Sequence, residues 1–329
     1  MKTILIKHTV FLLLGLANAI SSCDVNDLKP IANSATLPMR LSDYNIFQNG
    51  GAGLPTARFH TYRLATPLFT DYAEKQRLLY LPQGTHLSFD QAGNPVFPDS
   101  SMLVKTFFYY SDKRDTKAGK RLIETRILIK IDGQWNVGTY EWDEAQTDAF
   151  LLEGGTDKPV NWVNEMGVRK TILYHIPSSA ECSGCHRSDQ SVTPIGPKAR
   201  NLNIPLEGHS DPENQLSYFQ KTGIVKLAPA DQLITLPDWQ NPSHTLAQRA
   251  RAYLDVNCAH CHSTKGLAQS TRLLLDYALP FADTRIHARR NDILYRIQST
   301  NKNIRMPKLG ITVPDSAGIA LIKAYIQSL

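Results

Sequence analysis

Two copies of one five-residue motif, Cys-x-x-Cys-His, constrain this chain more than any other feature of its sequence. They are Cys182-Ser183-Gly184-Cys185-His186 and Cys258-Ala259-His260-Cys261-His262. In c-type haem attachment, two thiols at this spacing bond the vinyl groups of the macrocycle and the histidine that follows ligates the iron. Redox-active cysteine pairs and zinc sites also use Cys-x-x-Cys, but neither needs the following histidine twice. We therefore predict two covalently attached haem c groups, held by Cys182, Cys185, Cys258 and Cys261, with His186 and His262 as iron ligands.

The N-terminal segment has the layout of a secretory signal peptide, which we assign to residues 1–22. Lys2 and Lys7 precede an apolar run from Val10 to Leu16 that is too short for a permanent membrane helix. Ala17-Asn18-Ala19 fits ordinary signal peptidase, whereas Ile20-Ser21-Ser22-Cys23 resembles the bacterial lipobox. The pattern predicts export, and both cleavage sites remain open at this point.

Cys23 is the fifth cysteine of the chain and the only one outside the two motifs. An odd thiol in an exported protein is explained by lipidation, although a spare or intermolecularly paired thiol is the alternative. We predict a periplasmic protein that a lipid on Cys23 anchors to the membrane.

Strand patterns dominate the first half of the chain. After an irregular leader over residues 23–55, the segment 103–110 is dense in β-branched and aromatic residues, and alternate isoleucines from Ile123 to Ile131 predict one strand face. Asp132-Gly133 then predicts a tight hairpin turn, because this pair favours positive φ at both positions. Residues 56–176 are therefore predicted to form a β-rich domain, an antiparallel sandwich or small barrel.

Helical patterns follow after residue 177. Leu246, Ala250, Leu254 and Cys258 recur every four residues, which predicts a helix leading into the second motif. Other helix starts are predicted at Asp211-Pro212-Glu213 and near Asp315. The predicted fold is multidomain: the β-rich domain is followed by α-helical, cytochrome c-like haem-binding regions. These are a first haem segment over 177–240 and a second haem domain over 241–329.

The second iron ligand of each haem is predicted with unequal clarity. Met306, before Pro307, has the position of a distal thioether ligand opposite His262, and Arg305 is either a surface residue or a partner of a haem propionate. For the first haem, a backbone carbonyl near Ile195-Gly196-Pro197 is expected to bond His186. The candidate distal ligands of the first haem are His209, His244, Met166 and Met102, with a vacant position as the alternative. His175 and His260 are predicted to be polar residues at the haem edge.

Several phrases outside the motifs carry a family resemblance. They are Thr66–Tyr72, Ile123–Arg126, Tyr140–Ala149, Ile176–Cys182 and Arg251–His262. On these residues the chain resembles a family of largely uncharacterised bacterial dihaem c-type cytochromes, which join a β-rich N-terminal region to two C-terminal haem sites. The resemblance implies a periplasmic cytochrome without a settled substrate.

Electron transfer between a periplasmic or membrane redox partner and an acceptor is the predicted function. The alternative is a peroxidase-like dihaem enzyme with a five-coordinate first haem, and a third possibility is a ligand-binding β module. We predict no catalytic residues, since no phosphate loop, Gly-x-Ser-x-Gly elbow or His-Glu-x-x-His motif occurs. The net charge of +6 is not concentrated in a basic run with interleaved aromatics, so no nucleic-acid partner is predicted.

Overall fold

The computed structural model of the protein describes residues 36–48, 52–206, 213–228 and 234–329. The predicted signal peptide, Cys23 with its predicted lipid, most of the predicted leader, the predicted helix start at Asp211-Pro212 and His209 lie outside the described residues. In the described ranges, no helix is both long and apolar enough to cross a membrane.

A six-stranded antiparallel sheet in the order β1-β2-β5-β6-β7-β8 is the largest element of the fold. Its strands are β1 (His60–Thr61), β2 (Glu74–Tyr80), β5 (Met102–Tyr110), β6 (Lys120–Ile131), β7 (Gln134–Trp142) and β8 (Ala149–Leu151). Three two-stranded hairpins accompany it. They are β3 (Ser88–Phe89) with β4 (Pro95–Val96), β9 (Thr156–Val163) with β10 (Arg169–Ile176), and β11 (Arg187–Ser188) with β12 (Ser191–Val192).

The predicted hairpin at Asp132-Gly133 is confirmed. The two residues join β6 to β7, and their φ angles are 50° and 75°. A two-residue loop with positive φ at both positions matches the twist of the strands that it joins. This turn therefore fixes the register in which β6 pairs with β7.

The predicted single face of alternating isoleucines is wrong at Ile123. The β5–β6 register shifts between Phe107 and Phe108, which pair with Glu124 and Leu122, so Ile123 is an extra residue in β6. A bulge of this kind reverses the side-chain alternation on one side of it. Ile127 consequently packs in one apolar cluster, whereas Ile123 packs in another on the opposite face.

Seven α-helices lie in the described part of the chain. They are α1 (Ser179–Cys185), α2 (Ala199–Leu202), α3 (Gln215–Lys221), α4 (Leu246–Asn257), α5 (Phe281–Thr284), α6 (Arg290–Gln298) and α7 (Ser316–Gln327). The predicted helix into the second motif and the predicted start near Asp315 are confirmed as α4 and α7. Both begin at side-chain caps, since Thr245 forms a capping box with Gln248 and Asp315 accepts a hydrogen bond from the Gly318 N–H.

The predicted fold class is wrong. The described residues are β-rich, with 26% in strands and 23% in helices, and no cytochrome c-like helical haem-binding region forms among them. In these ranges, three helices have nine or more residues, namely α4, α6 and α7, and long stretches of chain separate them. The predicted sandwich or small barrel is instead one six-stranded sheet with separate hairpins. Helical periodicity identified single helices correctly, but it carries no information about how much irregular chain lies between them or what they pack on.

Helices α4 and α7 pack closely at Gly318. A methyl group on Gly318 would overlap the ring of Tyr253 on α4. That ring is held in place, because its hydroxyl donates to Asp315 Oδ2 at 3.0 Å and the ring makes a T-shaped contact with Trp239. The contact therefore needs a residue without a side chain at position 318.

Replacing Gly318 by alanine should lower the free energy of unfolding by roughly 1–2 kcal/mol, although alanine is the better helix former by about 1 kcal/mol. Overpacking against Tyr253 outweighs the gain in helix propensity. Denaturant unfolding would measure the change, with Gly154→Ala as the control because Gly154 has open space around its Cα. A Gly318→Ala protein as stable as the Gly154→Ala protein would contradict the close contact.

Candidate functional site

Both Cys-x-x-Cys-His motifs line one cavity, which we name the shared cavity. All four motif cysteines, His186, His260, His262 and Met306 contribute to its wall. The space between these residues is partly open to solvent and is about 2020 Å³ in total. Residues of β5 and β6 form another part of the wall. The β-sheet and the two motif segments therefore build a single site.

The first motif is positioned by α1, which follows directly after β10. Ser178 and Glu181 form a capping box that starts the helix. The Cys182 side chain is buried against the sheet, and its Sγ lies 3.5 Å from Thr139 Oγ1 on β7. Burial raises the pKa of the Cys182 thiol and that of Cys185. Neither thiol is part of a disulfide.

His186 is held in one orientation by a backbone carbonyl. Its Nδ1 lies 2.8 Å from the Thr193 oxygen, so that nitrogen carries the proton and Nε2 keeps its lone pair. Burial lowers the pKa of His186 to about 3, which keeps the ring neutral. The expected carbonyl near residues 195–197 is therefore corrected to Thr193, on the strand β12 side of the loop.

The second motif begins at the C-terminal end of α4. The Cys258 N–H bonds the Leu254 carbonyl, and Thr271 Oγ1 lies 3.5 Å from His262 Nδ1. Burial lowers the pKa of His262 to about 4, and a hydrogen bond with the Leu273 backbone opposes that shift only in part. His262 is thus a second neutral imidazole in the shared cavity.

Met306 lies in the loop between α6 and α7, and two buried charges hold that loop. Asp71, which is 1% exposed, accepts hydrogen bonds from the N–H groups of Thr312 and Val313 at 2.8 Å and 3.0 Å. Arg305, which is 7% exposed, donates to the carbonyls of Thr312 and Ile311 at 2.8 Å and 3.0 Å. Arg305 is therefore a buried brace of the Met306 loop, and not the surface residue that the sequence suggested.

The two motif segments are neighbours in space. The Asp189 N–H donates to the Lys265 carbonyl at 2.9 Å, and the Lys265 ammonium lies 3.5 Å from Asp189 Oδ2. Burial is the main cause that raises the pKa of Cys185, and the nearby Cys261 of the second motif is the next largest cause. Groups attached to the two motifs would consequently lie close together.

The three described candidates for the position opposite His186 do not line the shared cavity. Met166 is 80% exposed, Met102 packs in the apolar cluster on the other face of the sheet, and His244 does not line the shared cavity. Within the described chain, His260 and Met306 are the only imidazole or thioether donors on the cavity wall besides His186 and His262. The sequence placed His260 only at the haem edge, because the motif pattern does not show which way its second variable residue faces.

His175 contacts the start of α1 and does not line the shared cavity. Its Nδ1 lies 2.6 Å from Asp157 Oδ1 and its Nε2 lies 3.1 Å from Glu181 Oε1. Burial lowers the pKa of His175, but the bonds to Asp157 and Glu181 outweigh burial and raise it above 6.5. Burial raises the pKa of Glu181, but bonds from Ser178 and His175 outweigh it and lower that pKa below 4.5.

A pH window of stability follows from this pair of shifts. The contribution of protonated His175 is complete below pH 6.5 and is lost as pH rises through its raised pKa. The contribution of ionised Glu181 is complete above pH 4.5 and is lost on acidification. Between these values, the wild type should exceed His175→Gln in stability by less than about 1 kcal/mol, since the pair is partly solvated. Denaturant unfolding from pH 5 to 9 would measure this difference in stability, with exposed His287→Gln as the control. If stability depended on pH in the same way in His175→Gln as in the wild type, the role of the pair would be contradicted.

No group of three or more His, Cys, Asp or Glu side chains in the described ranges is arranged to hold a metal ion by itself. Comparison with protein-family models, curated proteins and solved structures finds no match to this chain. The resemblance to dihaem cytochromes therefore stays a prediction that depends on the motif residues.

Proposed function

We propose that the chain attaches two haem c groups through its four motif cysteines and transfers electrons between redox partners. The support is the shared cavity, because the cysteines and histidines of both Cys-x-x-Cys-His motifs line one space. When bound, haem supplies one-electron chemistry at an iron held by axial side chains. Two such groups in one cavity would lie close enough to exchange electrons directly.

The residues of the cavity fit haem on three counts. Each motif presents two thiols and one neutral imidazole. The wall between the motifs is largely apolar, with contributions from Leu68, Leu103 and Ile322. The hydroxyl of Thr70, a residue that is 3% exposed and lines the cavity, has no hydrogen-bond partner within the described chain. A buried polar group of this kind requires a partner that the chain does not supply.

Each axial role has a side chain in the cavity. His186 and His262 would each hold an iron through Nε2, because their Nδ1 atoms face hydrogen-bonding groups. Met306 would be the second side chain at the iron of the second motif, where a thioether favours the reduced state. His260, the remaining imidazole on the cavity wall, would be the second side chain at the iron of the first motif. Two six-coordinate irons suit electron transfer, whereas an open position suits catalysis.

The proposal is tested by the intact mass of the purified mature protein and by its visible and EPR spectra, with and without peroxide or cyanide. The proposal expects the mass of two covalent haems and two low-spin signals that neither reagent changes. A mass without haem would overturn the attachment. Two attached haems with a high-spin ferric signal that peroxide alters would overturn the electron carrier and favour the peroxidase-like enzyme.

The assignment of His260 is tested separately by His260→Ala, with His244→Ala as the matched control. The first variant should convert one low-spin haem to a high-spin, cyanide-binding state, while the second should keep the wild-type spectrum. A low-spin spectrum that survives His260→Ala would exclude this residue as a ligand and leave haem attachment standing.

A further inference from the structure

Three cations stand side by side on the cavity face of the sheet. Arg77 on β2 is the direct cross-strand partner of Lys105 on β5, and Lys105 is the partner of Arg126 on β6. Directly opposed residues of antiparallel strands point to the same face and lie about 4.5–5.5 Å apart at Cβ. We name these three residues the cationic row.

The cationic row continues into the first motif. Arg126 pairs across the sheet with Thr139 on β7, and the Thr139 hydroxyl contacts the Cys182 sulfur at 3.5 Å. Lys105 and Arg126 also line the shared cavity. Whatever is attached at Cys182 therefore extends from the end of this row.

The chain itself neutralises only one of the three charges. Glu124 binds Arg126 through both carboxylate oxygens, at 2.5 Å and 2.8 Å. Neither Arg77 nor Lys105 forms an ion pair with any carboxylate among residues that the structure describes. The Lys105 ammonium lies 5.1 Å from the centroid of the Phe107 ring.

Such a row is electrostatically unfavourable without an anion. Like charges directly opposite each other destabilise a sheet, and desolvation adds to the cost. Burial, together with the charges of Arg77, Lys75 and Arg126, lowers the pKa of Lys105 well below its ordinary value. The same causes lower the pKa of Lys75, on the same face, to about 7. The apolar residues on either side of the row, such as Leu103 and Phe107, do not provide a counter-charge.

We propose that Lys105, flanked by Arg126 and Arg77, binds a carboxylate in the shared cavity, further along the cationic row from Cys182. Two sources have this chemistry: the propionate side chains of the haem attached at the first motif, and a small free carboxylate that enters the cavity. An Arg–carboxylate contact and a Lys ammonium within reach of the same group give strong, charge-assisted hydrogen bonds. The propionate source rests on the haem attachment proposed above, and the test keeps the two proposals apart.

The test uses the mature protein, and intact mass first establishes that each sample carries two covalent haems. The variants are Lys105→Met, which removes the charge with little change in length, and Lys105→Arg, which keeps it. Lys170→Met is the matched control, because Lys170 is exposed on β10. Spectroelectrochemical titration then gives the midpoint potential of each haem, with and without acetate as the carboxylate probe.

Removal of a positive charge near the iron favours the oxidised state, so Lys105→Met should lower the potential of one haem. At a fixed potential, the ratio of reduced to oxidised haem should fall roughly 5- to 10-fold, the effect of one charge on the order of 10 Å away at an effective dielectric constant of about 25. Lys105→Arg and Lys170→Met should stay close to the wild type. A lower potential in Lys105→Met, together with no response of the wild type to acetate, would identify the bound carboxylate as a propionate.

A saturable response to acetate that Lys105→Met abolishes would instead identify a free carboxylate as the occupant. Two attached haems, no response to acetate and the same potentials in Lys105→Met as in Lys170→Met would overturn the carboxylate site while leaving the haem proposal intact. Samples without haem would instead contradict the attachment. If Lys105→Met does not accumulate, Lys105→Gln is measured against the same criteria.

Discussion

Replacing Cys258 and Cys261 together by alanine should remove one covalent haem and leave the other in place. Each haem needs the thiols of its own motif, and the two motifs lie on different segments of the chain that both line the shared cavity. The intact mass should fall by one haem, and the haem absorbance by about half. The pair Cys182→Ala with Cys185→Ala should give the reciprocal loss.

The control for this prediction is Cys23→Ser, which removes the remaining cysteine of the chain. It should retain both haems, since Cys23 belongs to neither motif, while a lipid on that residue would be lost. A protein that keeps two haems after Cys258 and Cys261 are replaced would show that the second motif serves another purpose.

Asp71→Ala should be the most damaging single change outside the motifs. Its carboxylate accepts hydrogen bonds from both the N–H and the hydroxyl of Thr312, and from the Val313 N–H, all in the segment that follows Met306. Removal of this buried acceptor leaves its N–H and hydroxyl donors without a partner and removes a negative charge that faces Arg305, at a cost of roughly 2–4 kcal/mol. Denaturant unfolding would measure the loss. The released loop should also turn one ferric haem from low-spin to high-spin.

Two control variants separate the parts of this prediction. Asp71→Asn keeps one acceptor oxygen and should lose less stability, while exposed Glu153→Ala should change neither stability nor spectrum. If Asp71→Ala is destabilised but its spectrum is unchanged, Met306 is not an iron ligand, although Asp71 still holds the loop in place. An Asp71→Ala protein as stable as the wild type would contradict the role of the carboxylate altogether.

Local features of the fold could be predicted from the sequence because each depends on a few adjacent residues. The Asp132-Gly133 turn needs positive φ at two neighbouring positions, and the start of α7 needs a short polar side chain at Asp315. The bulge at Ile123 could not be predicted from alternation alone, since the extra residue is revealed only by its pairing with β5. The same limit explains why the prediction of helical haem regions was wrong, since the periodicity of single helices does not show how they pack.

The candidate site was predictable in its chemistry but not in its assembly. The motif cysteines and histidines were identified from spacing, whereas the joining of both motifs in one cavity depends on contacts between distant segments. Lys105 did carry a signal, because it is the single charge of the apolar strand β5, whereas Arg126 lies among other charges in β6. The pattern becomes meaningful only when the register places them opposite each other. Asp71 gave no comparable signal, as its partners lie more than 240 positions away.

The position of Cys182 bears on the order of events that the proposed haem attachment would follow. In the folded chain the residue is 4% exposed and lies against the Thr139 strand. If a haem is bonded to this sulfur, the bond would form more readily while the sheet and α1 are still apart. Packing of α1 on the sheet would then follow the covalent step.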